Sequence, residues 1–252
     1  MRNTEQEKIR KATDLFKKSK FAIAFTGAGI SVPSGIPDFR SPGGLWSKYD
    51  PLLVASAQAL DNNPEQVWDF LLETSSLLDT AKPNPAHLAL AELEKQERLK
   101  GVITQNIDNL HQRGGSRVVV EYHGNFQRFY CRECQREVPL SDIRQASPSN
   151  VPLLCSDCKG LIRPDVVFFG ESIPSSAHAR SLGLVQAADL ILIAGTSGEV
   201  APANTLPDLV KRNQGRVIEI NLGKTAYTRI SDIRFDGPVE EVLPKLAAMI
   251  LT

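Results

Sequence analysis

The sequence has no surplus of charge of either sign, since its 252 residues contain 29 lysines and arginines and 29 aspartates and glutamates. A chain without net charge has no general attraction for polyanions, so no specific nucleic-acid partner is predicted. The sequence also lacks the run of about 18 apolar residues that a membrane-spanning helix needs, and residues 1–8 lack the apolar segment of a secretory signal. We therefore expect a cytoplasmic protein with no membrane partner.

Cysteine is scarce, and its four residues form two pairs, Cys131-x-x-Cys134 and Cys155-x-x-Cys158. Two such pairs at this separation are typical of four thiolates that close tetrahedrally on zinc. Two disulfides are the alternative, but they need an oxidising compartment, and the sequence shows no secretion signal. Because four thiolates leave no position for water on the metal, the sequence predicts one structural zinc ion.

A glycine-rich segment, GAGISVPSGIPDFR at 27–40, follows the apolar run 21–25, which is typical of a buried strand. Backbone N–H groups at such a turn attract a phosphate. The dinucleotide fingerprint G-x-G-x-x-G is only half present, because Val32 takes the third glycine position. The prolines at 33 and 37 exclude an ordinary helix, so the acid, aromatic and base at 38–40 lie in a loop. A surface loop with chance charges is the alternative.

Four further runs are predicted to be strands of the same sheet: 101–105, 117–122, 189–194 and 216–221. Polar or small residues end or follow each of them, including Asn106, Gly195 and Asn221. Since ligands bind beyond the carboxyl ends of parallel strands, these loops are expected to meet at one edge of the sheet. His123 follows the strand 117–122 and precedes a glycine, a position that suits a general base, although a bystander histidine is the alternative.

Two excursions interrupt the pattern of strands and helices. Residues 45–81 are helical in pattern without a strand signal, and residues 124–163 hold the cysteine pairs among short predicted strands with charges of mixed sign. The apolar run 163–171 has a proline near its start and a glycine near its end, which favours an exposed edge that can accept a peptide as an added strand. A core strand followed by a turn is the alternative.

Together these motifs resemble those of the sirtuins, NAD-dependent protein-lysine deacylases, of the bacterial or archaeal type. The resemblance covers nearly the whole chain and rests on GAGIS and SGIPDFR within 27–40, TQNIDNLH at 104–111, HG at 123–124, the four cysteines, FGE at 169–171 and GTS at 195–197. It implies an α/β fold in which a Rossmann-type parallel sheet domain carries a smaller domain, made of a four-cysteine zinc module and a helical module.

The resemblance also implies how the domains alternate along the chain. The Rossmann-type NAD domain would comprise residues 1–44, 84–123 and 164–252. The smaller domain would comprise the helical module at 45–83 and the zinc module at 124–163.

The same resemblance supplies the candidate site residues. The catalytic residues would be His123, Asn106 and Asp108. The residues that bind NAD, the co-substrate, would be Gly27, Ala28, Gly29, Ile36, Asp38, Phe39, Arg40, Trp46, Gln105, Asn106, Ile107, Asp108, Gly195, Thr196, Ser197, Asn221, Leu222, Gly223 and Val239. The acyl-lysine protein or peptide would contact Val167, Phe169, Gly170 and Val200, and the zinc ligands would be Cys131, Cys134, Cys155 and Cys158.

The reaction implied by the resemblance begins with the departure of nicotinamide, after which the acyl oxygen of the substrate captures the ribose carbon. His123 would then act as general base on a ribose hydroxyl. The expected products are nicotinamide, free lysine and O-acyl-ADP-ribose.

Some positions depart from the pattern of the sirtuins. Gly198 and Glu199 stand where larger or apolar residues are more common, and the segment 221–225 lacks the acid often found after its asparagine. Leu71 and Thr74 stand where sirtuins that remove succinyl or malonyl groups carry tyrosine and arginine, so we expect uncharged acyl groups, acetyl first.

Three other functions compete with this interpretation. Mono-ADP-ribosyl transfer would use the same NAD residues, so only analysis of the products distinguishes it from deacylation. A non-enzymatic zinc-containing binding module is disfavoured by the complete set of NAD loops. An ordinary NAD dehydrogenase is least favoured, because the third fingerprint glycine is missing and no acid follows a second strand at the usual spacing of about 20 residues.

Overall fold

The structure, a computed structural model, describes residues 2–38 and 43–252. Its strands, in chain order, are β1 (Ala22–Thr26), β2 (Val102–Thr104), β3 (Val119–Glu121), β4 (Gly124–Cys131), β5 (Glu137–Val138), β6 (Ile162–Val166), β7 (Leu190–Ala194), β8 (Arg216–Asn221) and β9 (Ile233–Asp236). Its helices are α1 (Arg2–Lys18), α2 (Leu45–Lys48), α3 (Pro51–Val54), α4 (Ala57–Asn62), α5 (Pro64–Thr80), α6 (Pro85–Lys95), α7 (Leu110–Arg113), α8 (Leu140–Ile143), α9 (Ser175–Ala187), α10 (Leu206–Arg212) and α11 (Val239–Leu251). No helix in the described ranges is long and apolar enough to cross a bilayer.

Six strands form a parallel sheet in the order β3-β2-β1-β7-β8-β9. Strand β1 is buried along its whole length, and its alternate residues enter different cores. Ala22 and Ala24 pack with α1, α6 and α11, whereas Ile23 and Phe25 pack on the opposite face with α9 and α10. Helices cover both faces because the central strands β1 and β7 are apolar on both faces, with Thr26 at the end of β1 the exception. This confirms the predicted α/β fold with a Rossmann-type sheet.

The order of the strands also locates the crevice where a ligand can enter. From β1 the chain continues to β2 and β3 on one side, and later places β7, β8 and β9 on the other. In such sheets the loops beyond the carboxyl ends of the two central strands diverge and leave a crevice. The loops after β1 and β7, which begin at Gly27 and Gly195, flank this position.

The two excursions from the sheet pack into one small core. Strands β4, β5 and β6 form an antiparallel sheet in the order β5-β4-β6, and its apolar side chains share a cluster with those of α4 and α5. Trp68 of α5 is almost fully buried there and donates a hydrogen bond from Nε1 to the carbonyl of Ile162, at 3.2 Å. The helical and cysteine-containing segments therefore depend on each other for burial of their apolar surface.

Several elements differ from the predicted ones for local reasons. The helical segment 45–81 is divided into four helices, because Pro51 and Pro64 each begin a helix and Asp50 and Ser56 cap helix starts with their side chains. Helix α10 and strand β9 were not predicted. Strand β6 is an edge of the small sheet and contains Pro164, as the edge interpretation of this run expected.

Candidate active site

The loops after β1 and β7 touch at their backbones. Gly29 donates its N–H to the carbonyl of Gly195, at 2.8 Å. A Cβ atom added to Gly29 would lie 2.9 Å from Cα of Gly195, and one added to Gly27 would lie 2.7 Å from Cβ of Thr196. Both fingerprint glycines are therefore required by the close approach of two loops. Beyond them the chain turns through two short 3-10 helices, Ala28–Ile30 and Val32–Ser34, in place of an ordinary helix.

The loop after β2 is bound to the glycine loop through buried polar groups. Asn106 donates from Nδ2 to the carbonyl of Gly27 and to Oγ of Ser31, both at 3.1 Å. Ser31 in turn donates to Oδ2 of Asp108 at 2.7 Å, while Leu110 N–H donates to Oδ1 at 2.9 Å. Two of the predicted catalytic residues are thus held together by Ser31, a residue that the sequence analysis did not select. The sequence feature that could have identified Ser31 is its place in the GAGIS motif.

Burial changes the acidity of Asp108. Desolvation raises the pKa of its carboxyl above the ordinary value, although the hydrogen bonds from Ser31 and from the Leu110 N–H oppose this effect. The carboxyl is 5% exposed and lies beside the amide of Asn106, so it provides a polar group in a largely dry part of the site. Such groups can orient a ligand strongly because few water molecules compete with them.

Gln105 joins the end of β2 to both neighbouring strands. Its backbone N–H donates to the carbonyl of Thr26 at 3.0 Å, and its side chain donates from Nε2 to Oγ1 of Thr196 at 2.9 Å. Its own carbonyl lies 3.1 Å from Nδ1 of His123. One residue therefore connects the glycine loop, the loop after β7 and the predicted general base.

His123 is oriented as a base requires. Since a carbonyl can only accept, Nδ1 of His123 carries the proton that it donates to Gln105, and the lone pair of the neutral ring is on Nε2. Burial lowers the pKa of His123 below its ordinary value, while the Gln105 carbonyl has the smaller opposite effect. The ring is consequently neutral at physiological pH. Its backbone carbonyl accepts from the N–H of Val167 at 2.9 Å, which brings the predicted peptide edge beside it.

Asn221 is held inside the protein at the end of β8. Its Oδ1 accepts from the N–H of Thr196 at 2.8 Å, and its Nδ2 donates to Oε1 of Glu219 at 3.2 Å. Glu219 is fully buried and also accepts from Ser231 Oγ at 2.9 Å and from the hydroxyl of Thr225. The sequence analysis missed Glu219, and the signal was a charged residue inside an apolar strand. Both polar atoms of the Asn221 side chain thus have partners within the protein, and through Thr196 this side chain holds the loop after β7 in place.

The remaining predicted NAD residues lie around these loops. Leu222 is 73% exposed, Gly223 and Ser197 are also exposed, and Val239 is buried at the start of α11. Ile36 and Ile107 pack against the small core. Trp46 stacks on Phe70 with ring centroids 6.0 Å apart. The carbonyl of Asp38 accepts from the N–H of Leu45 at 2.8 Å, whereas Phe39 and Arg40 lie outside the described residues.

The predicted peptide edge follows β6. Phe169 already uses both backbone groups, since its N–H donates to Ala55 at 2.8 Å and its carbonyl accepts from Ala57 at 2.9 Å. No hydrogen bond from another described residue reaches the carbonyl of Val167 or either backbone group of Gly170. These groups are the ones that remain for an added strand. Val200, the fourth predicted residue, is half-buried in the loop after β7.

The four cysteines meet at the end of the small sheet. Their Sγ atoms all lie within 4.8 Å of one another, with Cys131 and Cys158 at 3.4 Å and Cys134 and Cys155 at 3.8 Å. Tetrahedral zinc with Zn–S bonds of about 2.3 Å places its sulfur atoms roughly 3.8 Å apart. No disulfide joins the four thiols. The donor set and its spacing therefore fit a structural zinc ion.

Two buried histidines lie behind the site. His87 closes a capping box at the start of α6, where its Nδ1 accepts from the N–H of Asn84. The ring of His111 lies 4.9 Å from that of His87, and its Nε2 is 2.8 Å from Oγ1 of Thr26. The sequence did not predict that these two histidines meet.

Comparisons with known proteins agree with this geometry. A profile of the Sir2 family matches residues 27–202. The chain is 44% identical over 233 residues to NAD-dependent protein deacylase 2 of Pyrobaculum aerophilum, covering 92% of each chain. It is 42% identical over 235 residues to the NAD-dependent protein deacetylase of Thermotoga maritima, covering 93% of this chain and 95% of the relative.

Solved structures are also similar. A Sir2 homologue in complex with NAD superposes with a TM-score of 0.88 at 40% identity, covering 96% of this chain and 93% of the other. A Sir2 variant bound to a deacetylated p53 peptide and 3′-O-acetyl-ADP-ribose superposes with a TM-score of 0.88 at 37% identity, covering 96% and 97%.

Proposed function

The chain belongs to the Sir2 family, and from this premise we propose that it is an NAD-dependent protein-lysine deacylase that transfers the acyl group to ADP-ribose and releases nicotinamide. The orientation of His123 is the observation that carries the proposal. Its Nδ1 is fixed by the carbonyl of Gln105, so the basic Nε2 is available in a loop cluster that also holds Asn106 and Asp108. Relatives named as deacylases and deacetylases support the same activity.

The dinucleotide fits the crevice between the loops after β1 and β7. We propose that the turn at Ala28 and Gly29 faces the pyrophosphate and that the backbone N–H of Ala28, which has no acceptor among the described residues, donates to it; the N–H of Gly29 is already bound to Gly195. Asn106 and Asp108 would bind the nicotinamide and its ribose. The loops at Ser197 and Gly223, with the start of α11 at Val239, would hold the adenosine. The other NAD residues predicted from the sequence complete the proposed set.

NAD supplies the ribose carbon that takes up the acyl oxygen and the nicotinamide that departs from it. The chain contributes orientation and a base. With its pKa lowered by burial, His123 is ready at neutral pH to accept a proton from a ribose hydroxyl at Nε2, while the bond from Nδ1 to Gln105 holds the ring in place. The internal bonds of Asn106 fix the loop before any ligand binds.

The substrate is an acyl-lysine protein. We propose that its backbone pairs with the open groups of Val167 and Gly170, near Phe169 and Val200, so that the acylated side chain extends toward His123. We also propose that uncharged acyl groups are preferred, because Leu71 and Thr74 are buried in α5 and neither can neutralise a carboxylate.

The four cysteines would hold zinc as a structural ion that ties the strand β4 to the loop at 155–158. The proposed domain bounds are those expected from the sequence, with residues 1–44, 84–123 and 164–252 in the NAD domain. Residues 45–83 and 124–163 would form the helical and zinc modules.

The proposal is tested with NAD and an acetyl-lysine peptide, comparing the wild type with His123→Ala and with the control His178→Gln on α9, in which glutamine keeps a polar partner for the hydroxyl of Tyr122. We expect the first variant to lose about 10²- to 10⁴-fold in deacetylation rate and the control to retain it. Equal rates for His123→Ala and the wild type would contradict the assigned role. Mass spectrometry of the products separates O-acyl-ADP-ribose from ADP-ribosylated protein, and faster removal of succinyl than of acetyl would contradict the acyl preference.

A further inference from the structure

Arg163 and Glu171 form a largely buried ion pair at the two ends of the peptide edge. The side chain of Arg163 is 7% exposed and that of Glu171 is 26% exposed. The guanidinium binds both carboxylate oxygens, Nη1 to Oε1 and Nη2 to Oε2, the latter at 2.8 Å. Such bidentate pairs fix direction as well as distance, because the planar fork of arginine matches the carboxylate.

The other hydrogen bonds of this pair all remain within residues 163–171. Nη2 of Arg163 donates to the carbonyl of Val166 at 2.7 Å, and Oε2 of Glu171 accepts from the N–H of Phe168 at 2.9 Å. The guanidinium also lies 4.7 Å from the ring centroid of Phe168. The pair therefore determines the course of the backbone from the end of β6 through the following turn.

Little else shapes the far end of this turn. Gly170 has a φ of 89°, and a Cβ added to it would meet no atom within 4 Å. The side chain of Phe169 is 40% exposed. The turn is also held by the burial of the Phe168 ring in the small core, by the two bonds of Phe169 to Ala55 and Ala57, and by Glu171, whose N–H and carboxylate both bond to the backbone of Phe168. A left-handed glycine in open space permits many paths, so the observed path depends on these contacts.

We propose that Arg163 and Glu171 position the edge at 167–170 for the acyl-lysine peptide, and thereby set the affinity for the peptide without taking part in NAD binding. This inference rests on the proposed function. The two residues are positioning residues, because, apart from the bonds between them, their side-chain hydrogen bonds end on the backbone of residues 164–168. The loops proposed to hold NAD are joined through Gln105, Asn106 and Thr196, and no hydrogen bond of the pair reaches these residues.

The proposal predicts a selective kinetic change in Glu171→Gln. Glutamine keeps the shape of glutamate, but its amide nitrogen faces the donors of Arg163 and the bidentate pair is lost. We expect the KM for an acetyl-lysine peptide to rise about tenfold, since the charge-assisted hydrogen bonds that hold the edge are lost. The KM for NAD, and kcat at saturating peptide, should change by less than about twofold, because the base and its partners are untouched.

Asp165→Asn is the matched control. Asp165 lies on the same strand β6 and also pairs with an arginine, since Arg128 Nε lies 2.8 Å from its Oδ2, but this pair is exposed and does not touch residues 166–171. We expect its KM for the peptide to equal that of the wild type. A rise as large as that of Glu171→Gln would overturn the proposal, because any lost ion pair in the module would then have the same effect.

A second variant addresses folding. Removing one member of a buried pair leaves the other charge without a partner, whereas Arg163→Met with Glu171→Met removes both. The double variant should fold with a thermal midpoint near that of the wild type and still bind the peptide about tenfold more weakly. Wild-type peptide affinity in the folded double variant, or an equal rise in the KM for NAD, would overturn the proposal.

Direct binding keeps this inference separate from the proposed function. Anisotropy of a fluorescent acetyl-lysine peptide measures its Kd without turnover. A wild-type protein that binds the peptide but does not deacylate it would refute the function, while the Kd of Glu171→Gln still decides the positioning role. A wild-type protein that does not bind the peptide at all would refute both.

Discussion

Acidification should destabilise the protein through the two buried histidines, and the tautomers explain why. Nδ1 of His87 accepts from a backbone N–H, so its proton is on Nε2, which is buried and has no partner among the described residues. Thr26 donates its single hydroxyl proton to Thr104, so Nε2 of His111 donates to Thr26 and its lone pair is on the buried, unpartnered Nδ1. One ring thus carries an unpartnered donor and the other an unpartnered acceptor, and both rings are neutral.

The size of the effect follows from the pKa of His87, which burial lowers from 6.5 to about 4. A lowered pKa means that the unfolded chain binds the proton first, so the stabilisation is complete above about pH 6.5 and is lost as the pH falls toward 4. Between about pH 7.5 and pH 5 this single group should reduce the free energy of unfolding by about 2 kcal/mol. Burial, with the nearby His87 as a smaller cause, also lowers the pKa of His111 well below its ordinary value and adds a loss of the same sign.

The assay is urea unfolding of the wild type and His87→Gln at both pH values. Glutamine at this position can still complete the capping box but takes no proton, so the free energy of unfolding of the variant should fall by about 2 kcal/mol less than that of the wild type. His178→Gln, on the exposed surface of α9, should show the full wild-type loss. A pH dependence of His87→Gln that matches the wild type within about 0.5 kcal/mol would refute the reasoning.

Two further predictions concern the loops and the metal. Gly195→Ala should abolish NAD binding and lower the thermal midpoint, because a Cβ there would lie 2.2 Å from the backbone nitrogen of Ile30. In the control Gly35→Ala, φ is also positive but no atom lies within 4 Å of the added Cβ, so the free energy of unfolding should fall by only about 1–2 kcal/mol. Cys155→Ser should lose zinc, as measured by elemental analysis. It should weaken peptide binding more than NAD binding, because β6, which leads to the peptide edge, pairs with β4 beside Cys131. Equal losses of affinity for both ligands would contradict a link from the zinc site to the peptide edge.

The sequence was informative wherever one residue type has few uses. Cysteine spacing predicted the metal cluster. The glycines at 27 and 29 were predicted to admit a phosphate, whereas the contact that the structure shows at both is with the loop at 195–196. The five predicted parallel strands are all present because each contains a short, mainly apolar run, interrupted in β8 by Glu219, and such runs suit a sheet covered on both faces. Strand β9 was missed because Ile233 and Phe235 are its only apolar residues and a single face of this edge strand is buried.

Partnerships between distant residues were beyond sequence reasoning. Ser31 lies 77 residues from Asp108, and His87 meets His111 across two different helices. No periodicity encodes such pairs, because they arise from the order of the strands. For the same reason the two excursions were predicted separately, whereas the structure places Trp68 of one against Ile162 of the other.

The position of Gln105 shows how this order creates a site from groups that are inactive alone. Its amide N–H binds the end of β1, its side chain binds the loop after β7, and its carbonyl selects the tautomer of His123. A residue at the end of β2 can contact three neighbouring segments because parallel strands place the loops at their carboxyl ends along the same edge of the sheet. A substitution at Thr196 that moves the Gln105 side chain should therefore also alter the orientation of His123. Substitutions at Gln105 itself should impair NAD binding and proton transfer together, unlike substitutions at Glu171.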